Sequence, residues 1–112
     1  MGDPSFDVAF CLNHFVLKGV HLAPYRDGFL EACHVFWSAY RVHVTWEAPE
    51  AMESRVAALL PALMLARVDG KSPVEYLSPA EQEAVRALAG PLILKPRKRL
   101  CGLLDEMRAQ WP

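Results

Sequence analysis

The sequence predicts an all-α domain, an irregular bundle of about five to six helices. Apolar residues recur at the spacing of amphipathic helices through most of the chain. No stretch alternates convincingly with the period of a β-strand, and proline and glycine stand where helices begin or end. Since 112 residues suit one domain rather than two, we expect a single helical domain over residues 1–112.

The first helix is expected to begin at Asp3, which can cap it, with Pro4 in the first turn, and to run to about Val20. Apolar residues cover most of its circumference, which predicts the buried central helix of the bundle. Because Asp7 lies near its start, we expect that carboxylate to be largely buried and to accept hydrogen bonds from backbone amides or a cation. An anchoring role is favoured over a catalytic one.

The second helix is predicted from about Asp27 to Thr45, because an apolar and a polar stripe lie on its opposite faces. The apolar stripe consists of Phe29, Leu30, Cys33, Phe36, Trp37, Tyr40 and Val44. A third helical pattern, over 50–68, carries Pro61 in its middle, where proline removes a backbone hydrogen bond. We therefore expect a sharp kink or two short helices, with a break near Leu60.

Two Ser-Pro-x-Glu capping boxes follow. The box at 72–75 predicts a short helix over 73–77, and the box at 78–81 predicts a longer helix over 79–89. The Gly-Pro pair after Ala89 is expected to end the longer helix.

A last helix is expected after Pro96, with Trp111 at its end. Its buried residues are predicted to be Leu100, Leu103, Leu104 and Met107. It follows a basic cluster, Lys95 and 97–99, whose charges at a helix start conflict mildly with the helix dipole. A solvated helix start is favoured over nucleic-acid binding, and an acidic neighbour would remove the conflict.

Composition limits the classes of partner and compartment. A net charge of −1 provides no global field for nucleic acid or an anionic membrane, so we expect neither as a partner. Three cysteines, an odd number, and a start without a signal-peptide pattern predict a cytoplasmic protein with reduced thiols. The apolar fraction of 53% exceeds the roughly 45–50% of soluble domains, which favours an apolar face for a partner.

Short sequence motifs give only weak support for metal binding, nucleotide binding or catalysis. Cys33 lies on the apolar stripe and His34 on the polar one, so they diverge, and we expect no metal site. Gly70-Lys71-Ser72 resembles the end of a P-loop, but the glycine required five residues earlier is Leu65, so a turn with a left-handed helix cap is favoured. No nucleophile–histidine–acid set can be assigned, and no catalytic residue is expected.

The segment Gly2-Asp3-Pro4-Ser5-Phe6-Asp7-Val8-Ala9-Phe10 is similar to the G-D-P-x-x-D-[LV]-A segment of the aminoglycoside phosphotransferase and choline kinase-like superfamily. Residues 12–18 and 59–77 also resemble bacterial members, so the likeness covers about residues 2–77. The resemblance implies the helical carboxy-terminal part of a protein-kinase-like fold. Its members transfer the γ-phosphate of ATP to a hydroxyl of a small molecule, so ATP and Mg²⁺ are implied for a full-length relative.

The resemblance also implies roles for particular residues. Asp7 matches the motif's second Asp, which would brace the backbone of the catalytic loop. Asp3 matches the first, which would shape the turn after the magnesium-binding segment. The helical remainder would help to form the acceptor pocket. Its candidate lining residues are Glu31, His34, Trp37 and Tyr40.

One departure from the family pattern decides the expected activity. The family's catalytic loop reads H-x-D-x-x-x-x-N, and none of the 4 histidines is followed two positions later by Asp. The magnesium-binding Asp and the nucleotide lobe would precede Met1, so we expect no cofactor in this chain and no kinase activity from it alone. The first hypothesis is a carboxy-terminal kinase fragment, whose partner is the missing amino-terminal portion. The alternative is a stand-alone helical interaction or dimerisation module.

Overall fold

The computed structural model describes residues 3–69 and 76–111. Its helices are α1 (Pro4–His21), a 3₁₀ turn (Ala23–Tyr25), α2 (Arg26–Arg41), α3 (Pro49–Asp69), α4 (Pro79–Leu94) and α5 (Leu100–Gln110). No residue within the described ranges lies in a strand. The predicted all-α bundle is therefore confirmed.

The helix α1 is the central element, since it packs against α2, α3 and α4. Asp3 caps it as predicted: its Oδ1 accepts a hydrogen bond from the Ser5 N–H at 2.9 Å, and Pro4 occupies the first turn. One side of α1 supplies much of the core. Its buried apolar residues are Val8, Ala9, Leu12, Val16, Leu17 and Val20.

The burial predicted for Asp7 is wrong, because its side chain is exposed. It lies on the side of α1 that faces away from the other helices, together with Phe6 and Phe10, which are 46% and 37% exposed. The apolar pattern identified the central helix correctly, but the neighbouring helices enclose only part of its circumference. The uncovered part is both aromatic and acidic.

The helix α2 ends at Arg41 and not at Thr45 as predicted. Of its apolar stripe, Leu30, Cys33 and Trp37 are buried, while the remaining members within the helix are only half-buried. Val44 still reaches the core, at 7% exposure, from the turn that follows the helix. The residue positions on the inner side were thus predicted better than the helix boundary.

The two short helices expected around Pro61 and the helix end expected at the Gly-Pro pair after Ala89 are both wrong. The helix α3 runs without interruption through Pro61, and α4 continues beyond Pro91. The core holds the flanking residues in each case: Leu60 and Met64 are fully buried beside Pro61, and Leu92 is buried just after Pro91. Packing of these side chains offsets the backbone hydrogen bond that each proline removes.

The capping box at 78–81 is confirmed. The Ser78 N–H donates to Glu81 Oε1 at 2.8 Å, and the Glu81 N–H donates to Ser78 Oγ at 3.2 Å. The box at 72–75, the cap at Gly70 and the segment that resembles a P-loop lie outside the described residues, as does most of the helix predicted over 73–77.

The last helix buries the predicted residues Leu100, Leu103, Leu104 and Met107. Trp111, directly after it, lies under Arg26, whose guanidinium carbon is 5.2 Å from the ring centroid. A Cβ built on Gly19 would be 3.7 Å from the same ring, so Trp111 closes the corner between α1 and α2. Among the described helices, none combines the length and apolar character needed to cross a membrane.

Candidate functional site

A groove runs between α2 and α5, and two cavities that share His34 form it. We call it the α2–α5 groove. The first cavity, of about 170 Å³, is lined mainly by the polar and charged residues Asp27, Glu31, His34, Asp105 and Arg108. The second, of about 130 Å³, is lined by His34, Trp37, Ser38, Arg41, Glu53 and Arg99, among others. The residues from α2 recur every three or four positions, because they come from one face of that helix.

The structure brings three of the acceptor-pocket candidates together. Glu31, His34 and Trp37 all line the α2–α5 groove. Tyr40 does not line either cavity; its ring stacks on Phe36 and on Trp37, with centroids 6.1 Å and 6.2 Å apart. Tyr40 therefore supports the position of Trp37 by packing.

The first cavity has more negative than positive side chains. Arg108 is paired with Asp27, with Nη2 3.0 Å and Nε 3.2 Å from Oδ1. Glu31 and Asp105 have no hydrogen-bond or ion-pair partner within the described ranges. A cationic group that entered this cavity would find two carboxylates ready to accept its hydrogen bonds.

The second cavity holds charged groups of both signs. Arg41 pairs with the exposed carboxylate of Glu50 at 3.2 Å, and Arg99 has no acidic partner in the described part of the chain. Glu53 is 5% exposed and its Oε2 accepts the Leu100 N–H at 2.7 Å. This carboxylate is the acidic neighbour that the basic start of α5 needed.

Sequence reasoning missed the contribution of α5 to this groove. Asp105, Arg108 and Arg99 line it, although more than sixty residues separate Asp27 from Arg108 in the chain. The sequence showed the polar face of α2 as a stripe of polar residues at helical spacing. Nothing in the spacing of residues showed which helix would cover it.

The start of α1 is fixed by a polar network around Arg55. The Arg55 Nε donates to the buried Ser5 Oγ at 3.0 Å, and its two terminal nitrogens pair with the Glu47 carboxylate. Hydrogen bonds from Ser5, chiefly from its backbone N–H, lower the pKa of Asp3, and Arg55 lowers it further. The hydrogen bond from Arg55 is also the main cause of the lowered pKa of Glu47. This network ties α1 to α3.

We define the outer α1 face as Phe6, Asp7, Phe10 and His14. The rings of Phe6 and Phe10 are stacked with centroids 6.2 Å apart, and His14 meets Phe10 edge-on at 4.8 Å. Partial burial is the main cause of the lowered pKa of His14, with smaller effects from Arg67 and Lys18. The Asp7 carboxylate has no hydrogen-bond partner in the part of the chain that the structure describes, so it is available to one from outside.

The cysteines show no arrangement for catalysis or metal binding. Cys33 is fully buried, its Sγ is 3.8 Å from the Leu12 carbonyl oxygen, and burial raises the pKa of its thiol to about 12. Cys11 and Cys101 are exposed. Over residues 3–69 and 76–111, no three His, Cys, Asp or Glu side chains converge as metal ligands.

No family model matches this chain, nor does any curated protein or solved structure. The similarity to kinase-like phosphotransferases therefore rests on the residues of the motifs alone.

Proposed function

We propose that this domain is the helical carboxy-terminal lobe of a small-molecule kinase similar to the aminoglycoside phosphotransferases, and that it is inactive by itself. The observation that carries the proposal is the outer α1 face. Asp7, the second Asp of the family-like motif, is an exposed carboxylate beside two exposed phenylalanine rings, Phe6 and Phe10.

This surface has the chemistry that a catalytic loop would need from its support. An unpartnered carboxylate can accept hydrogen bonds from loop backbone N–H groups, and the adjacent rings can bury against the same loop. The cap at Asp3 and the hydrogen bond between Ser5 and Arg55 hold the start of α1 in place. The carboxylate is therefore presented from a fixed position.

The rest of the kinase has to come from outside this domain. Phosphoryl transfer depends on metal ions and cations placed around the phosphates, and no histidine here starts an H-x-D motif. In this proposal the outer α1 face contacts the segment with the catalytic loop. The α2–α5 groove, lined by Glu31 and His34, receives the acceptor molecule.

The first test is the DNA sequence upstream of the Met1 codon. In-frame codons for an H-x-D-x-x-x-x-N segment, or a neighbouring gene that encodes one, would support the proposal. An upstream stop codon with no such segment encoded nearby would count decisively against it.

The second test is kinetic and uses this domain together with the segment that carries the catalytic loop. Asp7→Asn is expected to lower kcat about a hundredfold, because a misplaced catalytic loop loses its alignment with the phosphate. Glu83→Gln, at an exposed position on α4, is the matched control and should leave kcat unchanged. The chain alone should show no magnesium-dependent ATP turnover above a heat-treated sample.

A second candidate function is self-association through the same surface. The exposed Phe6 and Phe10 would then be covered by the outer α1 face of a second copy. Light scattering on the purified chain should report a dimer that Phe10→Glu dissociates. Val35→Glu, at a 58% exposed apolar position on α2, should leave the dimer intact. A monomer that binds no dye for exposed apolar surface would eliminate this candidate.

A further inference from the structure

The outer α1 face continues toward the end of the helix with Lys18, which lies on the same side. At 3.6 residues per turn, Phe10, His14, Asp7 and Lys18 fall within about 80° of the helix circumference. Asp7 and Lys18 are exposed, and neither has a hydrogen-bond or ion-pair partner within the described ranges. Between these opposite charges, Phe10 is 37% exposed and meets His14 edge-on.

We propose that the outer α1 face packs against the same face of a second copy of this chain with the two helices antiparallel, so that Asp7 of each copy pairs with Lys18 of the other. The inference rests on the second candidate function, self-association, and adds an orientation and a register to it. The helices α2, α3 and α4 pack against α1 from its other sides, so they leave room for a second copy.

The positions of these residues along α1 set the register. With a two-fold axis at the level of residue 12, Phe10 of each copy lies level with His14 of the other. The same axis leaves Asp7 only about 1.5 Å along the helix from the level of Lys18 in the other copy, a distance that a lysine side chain spans. The aromatic contact and the charge pairs therefore fit one and the same arrangement.

The charges select the antiparallel orientation. A parallel pair in register would set Asp7 against Asp7 and Lys18 against Lys18, whereas the antiparallel pair sets each against its opposite. Burial of Phe6 and Phe10 drives association, and the two exposed charge pairs contribute more to orientation than to affinity. Since one helix from each copy makes a small interface, we expect a dissociation constant of about 0.1 mM.

Reversing one charge at a time tests the orientation. Asp7→Lys places two lysines against each other at both ends of the interface, and Lys18→Asp places two carboxylates there. Each variant should weaken the dimer about tenfold or more, measured by light scattering over a concentration series up to about 2 mM. Asp105→Lys and Lys98→Asp make the same changes of net charge at exposed positions outside α1 and should leave the dimer unchanged.

Exchanging both charges tests the pairing itself. The variant that combines Asp7→Lys with Lys18→Asp keeps the net charge and restores opposite charges at both ends. It should therefore dimerise about as tightly as the unaltered chain. An equimolar mixture of the two single variants should form a heterodimer for the same reason. Circular dichroism of each variant confirms that lost association is not lost folding.

The outcomes separate this inference from the functions on which it bears. A chain that stays monomeric up to about 2 mM would eliminate both the self-association candidate and the antiparallel pairing. A dimer that tolerates both single reversals, or that the combined variant fails to restore, would leave self-association standing and overturn the pairing alone. The kinase proposal is decided separately, because these measurements use neither ATP nor a catalytic-loop segment.

Discussion

The side chain of Glu53, on α3, accepts a hydrogen bond from the backbone N–H of Leu100 at 2.7 Å and so caps α5 from a different helix. The Ser54 hydroxyl donates to the Lys98 carbonyl oxygen at 3.0 Å beside it. Arg99, the cap residue of α5, makes no side-chain cap of its own. The start of the last helix is therefore specified by α3.

Glu53→Ala should lower the free energy of unfolding by about 1–3 kcal/mol, because it leaves the buried Leu100 N–H without its acceptor. Glu53→Gln keeps an acceptor oxygen without the charge and should lose less. Urea unfolding followed by circular dichroism measures both. Glu83→Ala, at an exposed carboxylate, should change stability by less than about 0.5 kcal/mol. Equal losses at Glu53 and Glu83 would show that the cap contributes nothing.

Pro91→Ala should raise the free energy of unfolding, by about 1–3 kcal/mol. Alanine restores the N–H that proline lacks within α4, and Pro91 is exposed, so no core contact is lost. Pro61→Ala makes the same backbone change at a buried ring and should gain less, because it also leaves a cavity. Thermal unfolding of the two variants side by side measures the difference, and destabilisation by Pro91→Ala would contradict the helix continuing to Leu94.

Cys33 should resist thiol reagents in the folded protein. Its thiol is buried and its pKa is raised to about 12, so almost no thiolate forms near neutral pH. A chromogenic disulfide reagent should modify exposed Cys11 and Cys101 quickly, and Cys33 only after urea is added. In a Cys33→Ala variant no further thiol should react when urea is added. Rapid modification of Cys33 in the native chain would contradict its burial.

Acid should destabilise the protein through carboxylates held by hydrogen bonds. The pKa is lowered in the folded state for Asp3, Glu47, Asp69 and Glu81. The folded state therefore binds fewer protons than the unfolded state, and the stabilisation is present above the unfolded pKa values and lost as pH falls through the folded ones. The urea midpoint should fall between about pH 5 and pH 3.

Two variants test which carboxylates cause that pH dependence. Glu47→Gln removes the partner of Arg55 and should flatten the dependence. Glu31→Gln should retain the slope of the unaltered protein, since Glu31 has no hydrogen-bond partner in the described chain. A slope unaffected by Glu47→Gln would assign the effect to the other three carboxylates.

Local signals in the sequence were enough for the starts of α1 and α4. Asp3 and the box at Ser78 act through atoms within three residues, so their hydrogen bonds follow from residue order. The continuation of α3 through Pro61 and of α4 beyond Pro91 was not predictable in this way, because the core packing that overrides proline comes from distant segments. Asp7 shows the same limit: its helix was placed correctly, but which side the neighbours leave open depends on how α2, α3 and α4 are arranged.

Only the α2 side of the α2–α5 groove could be predicted from the sequence, for a related reason. The polar stripe of α2 placed Glu31 and His34 on one face, but the opposite wall comes from α5, with Asp105 among its residues. The charged side chains of the groove come together only when those helices meet.

The order of synthesis gives the last helix a further importance. A ribosome releases α1 to α4 before α5, and the apolar surface that Leu103 and Met107 cover stays open to water until then. Until that moment the nascent domain exposes an apolar surface to which chaperones and other nascent chains can bind. Folding of this domain in the cell therefore cannot be completed before α5 has left the ribosome.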